Sequence, residues 1–170
     1  MTKDIIKELR GLLKNDQEII AAFSQRKIDR RIWLERVKKN TTRVKQILKQ
    51  HGIVTKQYGE NTYKAMLVLV LHSGDIPLMK QYLEMHRQND SNVERKDEAM
   101  LVDKIKVISG GEQMYGTQYK VKNGSVAFLP IRDEKNVDKR RESLGLPSLE
   151  KYKRGIKQSL LCHRQNSTRK

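Results

Sequence analysis

The sequence predicts a mainly α domain, α-rich α+β in class, with one β-hairpin near residues 118–129. Three observations carry that expectation. Apolar residues recur at threes and fours over much of the chain, as on one face of a helix. The segment Tyr63 to Leu71 is almost continuously apolar and reads as a helix buried all round. Two short β-prone segments flank Asn123-Gly124, a dipeptide that favours the tight primed turn of a hairpin. A chain of 170 residues has the usual size of one domain. The expected organisation is one compact helical domain over residues 1–152, with about six helices around the buried one. Residues 153–170 are then the basic end of the last helix and a disordered tail beginning near Gln165.

Taken in order, Ile5, Ile6, Leu9, Leu12, Leu13, Ile19, Ile20 and Phe23 make one amphipathic helix. Ile28, Ile32, Trp33, Val37, Val44, Ile47 and Leu48 describe a second stripe through a basic stretch, with a break expected near Asn40-Thr41-Thr42 and an end at His51-Gly52. For Tyr63 to Leu71, length and flanking glycines favour a central helix, although Val68 and Val70 also suit a strand. Asp75 is a good N-cap for a helix over about 76–88, with Pro77 in its first turn and Leu78, Met79, Tyr82, Leu83 and Met85 as its stripe. Gln88 to Lys96 reads as a loop, and Ala99 to Ile108 as a helix stopped by Gly110-Gly111. Gln118 to Val121 and Val126 to Leu129 are the hairpin strands. A short helix from Asp138 to Leu144 ends at Gly145, and Pro147-Ser148 opens the last helix.

Composition narrows the function classes. The single cysteine, Cys162, rules out an internal disulfide and fits a reducing compartment. The first ten residues mix charges and lack a signal-peptide pattern, so a cytoplasmic location is expected, with export by a route lacking such a signal left open. The longest apolar run, Ala65 to Leu71, falls far short of the roughly 20 residues of a spanning helix, so no transmembrane segment is expected. Net charge is +16, of which residues 1–40 carry +5, residues 41–150 carry +4 and residues 151–170 carry +7. Basic ends around a nearly balanced middle favour an anionic partner, nucleic acid or an acidic protein; a merely solvated Lys-rich surface is the plainer explanation.

Several motifs occur in one order: His51-Gly52-Ile53-Val54-Thr55, His72 ahead of an acidic residue, Leu101-Val102-Asp103-Lys104-Ile105 and Gly110 to Gln113. Tyr115-Gly116-Thr117-Gln118, Val137-Asp138-Lys139-Arg140-Arg141, Gly145-Leu146-Pro147 and Leu149-Glu150-Lys151-Tyr152 follow. The set, from about Asn40 to Tyr152, resembles the bacterial proteins catalogued as domain of unknown function 6624. The resemblance implies a shared fold and brings no activity. The chain departs from the family pattern where His-Gly-Trp-Pro-Thr is usual and Ile53-Val54 stand instead. Leu71 occupies the place of a common glutamine, and Ile108-Ser109 that of an Asn-Glu pair. Gly74 occupies that of an acidic residue, with a one-residue deletion before Asp75. If those polar groups are catalytic in relatives, this copy is altered or inactive.

Candidate chemistry centres on His72. Followed by Ser73, Gly74 and Asp75, it can sit at a pocket rim as a general base with Asp75 orienting it, or it can simply cap its helix through a carbonyl. Tyr115-Gly116-Thr117-Gln118 can face a ligand with a glycine backbone and hydrogen-bonding side chains, or form a tight turn that satisfies itself. It lacks the lysine and spacing of a P-loop. Asp103, Arg140 and Arg141 join Gly116 and Thr117 as candidate ligand-binding residues, with plain salt bridges as the commoner alternative. Arg30, Arg31, Lys38, Lys39 and Arg43, with Arg164, Arg169 and Lys170 of the tail, are candidate contacts to nucleic acid or another anion. Trp33 is the only aromatic there and is assigned to the core stripe, so phosphate contact without base readout is the most that follows. His51, His86 and His163 are scattered and no Gly-x-Ser-x-Gly occurs, so no metal, no cofactor and no familiar hydrolase mechanism is expected.

Three function classes follow. The preferred one is a binding module for an anionic or polar ligand at a His72/Tyr115–Gln118 pocket, assisted by the basic surfaces. The second is a hydrolase or transferase with His72 as general base, Asp75 orienting it, and Tyr115 and Gln118 polarising the substrate. The third is a protein-interaction, regulatory or effector module. Oligomeric state is not legible.

Overall fold

In the computed structural model, residues 1–89, 93–122 and 125–167 are described, residues 122 and 162–167 by their backbone alone. The fold is mainly α, with seven α-helices and one two-stranded antiparallel hairpin among the described residues. They form two compact units, Met1–Glu94 and Arg95–Lys170.

In the first unit, α1 (Lys3–Ser24) begins where the Thr2 hydroxyl accepts the Ile5 amide, and it buries Leu9 and Ile19. The second helix, α2 (Arg30–His51), starts at Asp29, whose carboxylate accepts the Ile32 amide at 2.8 Å. It runs unbroken through Asn40-Thr41-Thr42, where a break was expected. The hydroxyls of Thr41 and Thr42 donate to the carbonyls of Val37 and Lys38, four residues back, so these polar residues are accommodated within the helix. Val37, Val44, Ile47 and Leu48 face the core. Gly52, at φ +70°, ends the helix and donates to the Leu48 carbonyl.

A 3-10 turn at Lys56–Tyr58 leads into α3 (Glu60–His72), which packs on α1 and α2 and is the expected buried helix. Tyr63, Ala65, Met66 and Val70 are fully enclosed, and Leu67, Leu69 and Leu71 nearly so. Burial on several faces explains why its sequence shows no single stripe. Asp75 caps α4 (Ile76–Arg87) by accepting the Leu78 amide at 2.8 Å, with Pro77 in the first turn as expected. Two polar groups are locked into this core: the Tyr63 hydroxyl lies 3.3 Å from His86 Nε2 and accepts the Glu94 amide. His86 is therefore a core residue.

The second unit opens with α5 (Arg95–Ile108), which starts before Ala99. Asp97 and Glu98 in its first turn suit the positive end of the helix dipole, so the polar stretch assigned to a loop ends sooner than expected. Residues 90–92 of that stretch lie outside the described residues. Strands β1 (Tyr119–Lys122) and β2 (Ser125–Phe128) pair in the register Tyr119 with Phe128 and Lys122 with Ser125. The Asn123-Gly124 turn lies outside the described residues.

A short helix α6 (Val137–Glu142) closes in a Schellman arrangement. Gly145 takes φ +67°, its amide meeting the Glu142 carbonyl and the Leu146 amide reaching back to the Arg141 carbonyl. Then α7 (Leu149–Ser167) begins with the Leu149 amide on the Asp138 carboxylate. The helix carries past Gln165, where the sequence suggested a tail, as far as Ser167. Arg169 and Lys170 lie outside the described residues, as do the side chains of Cys162, His163 and Arg164.

Candidate functional site

The loop from Gln113 to Gln118 is built around one carboxylate. Asp103, on α5 and fully buried, accepts the amides of Met114 at 2.6 Å, Tyr115 at 3.0 Å and Thr117 at 2.9 Å, together with the Thr117 hydroxyl at 3.0 Å. A carboxylate has about four acceptor positions, and the loop fills them. Gln113, also fully buried, completes the frame. Its amide nitrogen donates to the carbonyls of Gln118 and Leu129, and its oxygen accepts the Gln118 amide at 2.8 Å. At Gly116, φ is +69° and an added Cβ would stand 2.6 Å from Leu149 Cδ1, so both conformation and space require glycine there.

Two arginines of α6 hold the other side of this loop. Arg140 donates from Nε to the Met114 carbonyl at 2.8 Å and from Nη2 to the carbonyls of Arg132 and Asp133. Arg141 is 1% exposed and donates to the carbonyls of Pro147 and Tyr115, its guanidinium 5.0 Å from the Tyr152 ring centre. Burial pushes the Arg141 guanidinium below its ordinary value, with Tyr152, Asp138 and Asp103 acting the other way. Burial also pushes the Tyr152 phenol up, within an aromatic cluster shared with Tyr119 and Phe128. Asp103, Thr117, Gly116, Arg140 and Arg141 thus spend their polar groups and space on the loop itself. Tyr115 and Gln118 are half-buried, with Gln118 Nε2 donating to the Thr117 hydroxyl.

In the first unit, His72 ends α3. Its Nδ1 lies 2.6 Å from Asp16 Oδ2, the carboxylate 4% exposed and the imidazole 38%. Nε2 has no hydrogen-bond partner among the described residues. The carboxylate on His72 is thus Asp16 of α1. Asp75 instead caps α4 and pairs with Lys45 at 2.5 Å. Asp16 carries a signal in the sequence: at three- and four-residue spacing it falls on the apolar face of Leu9, Leu12, Ile19 and Phe23, where a carboxylate needs a buried partner. Asn40 is a similar intrusion, on the stripe Val37, Val44 and Ile47, and is 6% exposed.

The basic face of α2 exposes Arg30, Arg31, Lys38 and Lys39. Arg43 differs, because Glu8 of α1 takes its guanidinium in a two-pronged ion pair and Gln46 accepts from Nη1. Trp33 stacks on Phe23 with ring centres 5.2 Å apart. No group of His, Cys, Asp and Glu fit to hold a metal occurs among the described residues.

Hydrogen bonding to Arg43 lowers the Glu8 carboxyl against the opposing effect of burial. At Asp75 burial pushes the carboxyl up, but hydrogen bonds from Lys45 and the Leu78 amide outweigh it and leave the group lowered. A carboxyl lowered by folding stabilises the fold above its unfolded pKa and loses that contribution as pH falls through its folded value. The first unit is therefore expected to melt at lower temperature in acid below the ordinary carboxylate range. Glu8→Gln should bring the wild-type melting temperature down at neutral pH and flatten this acid dependence. A Glu8→Gln melting curve with the same pH profile as wild type would refute the assignment.

A family model described as a family of unknown function, DUF6624, matches residues 32–162, and the chain belongs to that family. The matched part holds His72, Asp103 and the Tyr115–Gln118 loop; Asp16 lies outside it. A search of curated proteins found no match, and a search of solved structures found none. No helix among the described residues is long and apolar enough to cross a membrane.

Proposed function

We propose that this protein binds an anionic or polar ligand and that His72 is the group that recognises it. One observation carries the reading: a buried carboxylate, Asp16, holds Nδ1 of a part-exposed imidazole whose Nε2 has no partner among the described residues. A ring fixed through one nitrogen offers the other in a set direction, the arrangement by which histidines are prepared for ligands or protons. Exposed Arg30, Arg31, Lys38 and Lys39 raise the local concentration of anions, nucleic acid or an acidic protein among them. In the second unit, Tyr115 and Gln118 are the loop side chains proposed to meet a polar ligand, while Asp103, Gly116, Thr117, Arg140 and Arg141 serve by shaping their loop. The tail residues Arg164, Arg169 and Lys170 are proposed as nonspecific anion contacts.

The same observation favours a second reading, a hydrolase or transferase with His72 as general base. Asp16 takes the orienting role expected of Asp75.

Mass spectrometry of whatever co-purifies, followed by nuclear magnetic resonance of the His72 ring with that compound, tests the binding reading. His72→Ala is expected to abolish binding, and Asp16→Asn to weaken it by about tenfold through loss of ring orientation. A stability loss of about 2 kcal/mol or more in His72→Ala, with binding retained, would assign the histidine to the fold instead. Metabolite extracts changed by the wild type and unchanged by His72→Ala would select the enzyme.

A further inference from the structure

Glu8, near the start of α1, meets Arg43 in the second half of α2, so the two helices run antiparallel. A groove of about 720 Å³ lies along them. Glu8, Leu12 and Asn15 line it from α1 at helical spacing, and the opposite wall is a stripe of α2 from Glu35 to Gln46. At one end the charges are matched, since Glu8 and Gln46 engage Arg43. Further along, Lys38 and Lys39 are exposed and make no ion pair among the described residues. Glu35 also makes no ion pair among the described residues, which leaves this part of the groove with one excess positive charge.

Asn40 lies in the same lining, 6% exposed, and its Nδ2 has no hydrogen-bond partner among the described residues. A buried amide donor without an acceptor is destabilising, and folded proteins leave few such groups. Here the unmatched donor shares a groove with two unmatched ammonium groups. A negatively charged oxygen acceptor is the one ligand group that suits all three.

We infer that the groove between α1 and α2 is a binding site for a small oxyanion-bearing molecule, a phosphate or a carboxylate, that accepts a hydrogen bond from Asn40 and is neutralised by Lys38 and Lys39. Nδ2 is itself enclosed, so binding requires the amide to turn about its soft terminal torsion until the N–H reaches the groove. Asn15 on the facing wall supplies a second amide. Glu35 opposes a long polyanion running through the groove, which favours a compact ligand over a nucleic-acid backbone. The site is separate from the His72 reading and stands or falls without it.

The test uses the full chain, with inorganic phosphate and succinate as probes, followed through the side-chain amide resonances of Asn40. At least one probe is expected to shift those resonances to saturation; which one identifies phosphate or carboxylate as the ligand chemistry. Asn40→Leu removes the unmatched donor at similar volume, so it is expected to lose binding while unfolding at the same or higher urea concentration. Lys39→Glu, on an exposed residue, keeps the inference testable if Asn40→Leu fails to fold, and should weaken binding by about tenfold. Asn40 resonances unmoved by either probe, or unchanged affinity in Lys39→Glu, would overturn the assignment. So would a duplex oligonucleotide that moves Asn40 where neither small anion does, or probes that move only the His72 ring.

Discussion

Asp103→Ala is expected to destabilise the second unit by about 3–5 kcal/mol, because it strands several buried donors at once and leaves a cavity. Amides of Met114, Tyr115 and Thr117 and the Thr117 hydroxyl all converge on that carboxylate. Each stranded donor carries a penalty of about 1–3 kcal/mol, although the loop can relax and recover part of it through water. Asp103→Asn should be nearly as harmful. Its NH2 group would face N–H groups, so one side of the amide repels what the carboxylate attracts. Hydrogen exchange at the Tyr115 and Thr117 amides is the direct readout: both should lose protection in either variant before α7 does. If those amides stay protected in Asp103→Ala, the carboxylate does not organise the loop.

Arg141→Lys is the second large expected effect, at about 2–4 kcal/mol, despite the retained charge. The guanidinium reaches the Pro147 carbonyl through Nε and the Tyr115 carbonyl through Nη1, and it lies against the Tyr152 ring. A single ammonium cannot span both carbonyls. It would also be buried at a position that is 1% exposed, where an under-solvated charge is costly. Urea unfolding monitored at the Tyr119, Phe128 and Tyr152 cluster should show a lower midpoint for Arg141→Lys, and Arg141→Met should fall in the same range if the two hydrogen bonds dominate. A lysine variant as stable as wild type would mean that charge alone is what the site needs.

Local signals marked the elements well. Asp75 as a cap, Gly52 and Gly145 as stops, and the pairing of residues around 119–128 all act within a few residues of chain, where side-chain type fixes backbone geometry. Where local signals conflicted, tertiary context or unseen hydrogen bonds won. Thr41 and Thr42 suggested a break in α2, yet their hydroxyls bond back to carbonyls of the same helix while Val37, Val44 and Ile47 are buried beside them.

Candidate site residues were legible as types and much less as roles. Sequence order set Asp75 beside His72, but α3 ends so that the imidazole meets Asp16, fifty-six positions away. The motif residues Asp103, Gly116, Thr117, Arg140 and Arg141 were conspicuous because they stand in the motifs that carry the family resemblance. That they are spent on their own loop follows only from the contacts: four donors converge on Asp103, both arginines donate to loop carbonyls, and Gly116 has no room for a side chain.

By itself the sequence determined the mainly helical class, the hairpin and the most buried helix, since periodicity and turn chemistry are properties of neighbouring residues, and the order of its motifs pointed to the family. Tertiary structure alone decided which carboxylate faces His72, that Arg43 is neutralised by Glu8, and that Asn40 Nδ2 is buried without a partner among the described residues. Those pairings depend on how helices distant in sequence are set against each other, and a polar group's role depends on which partner that packing leaves within about 3 Å of it.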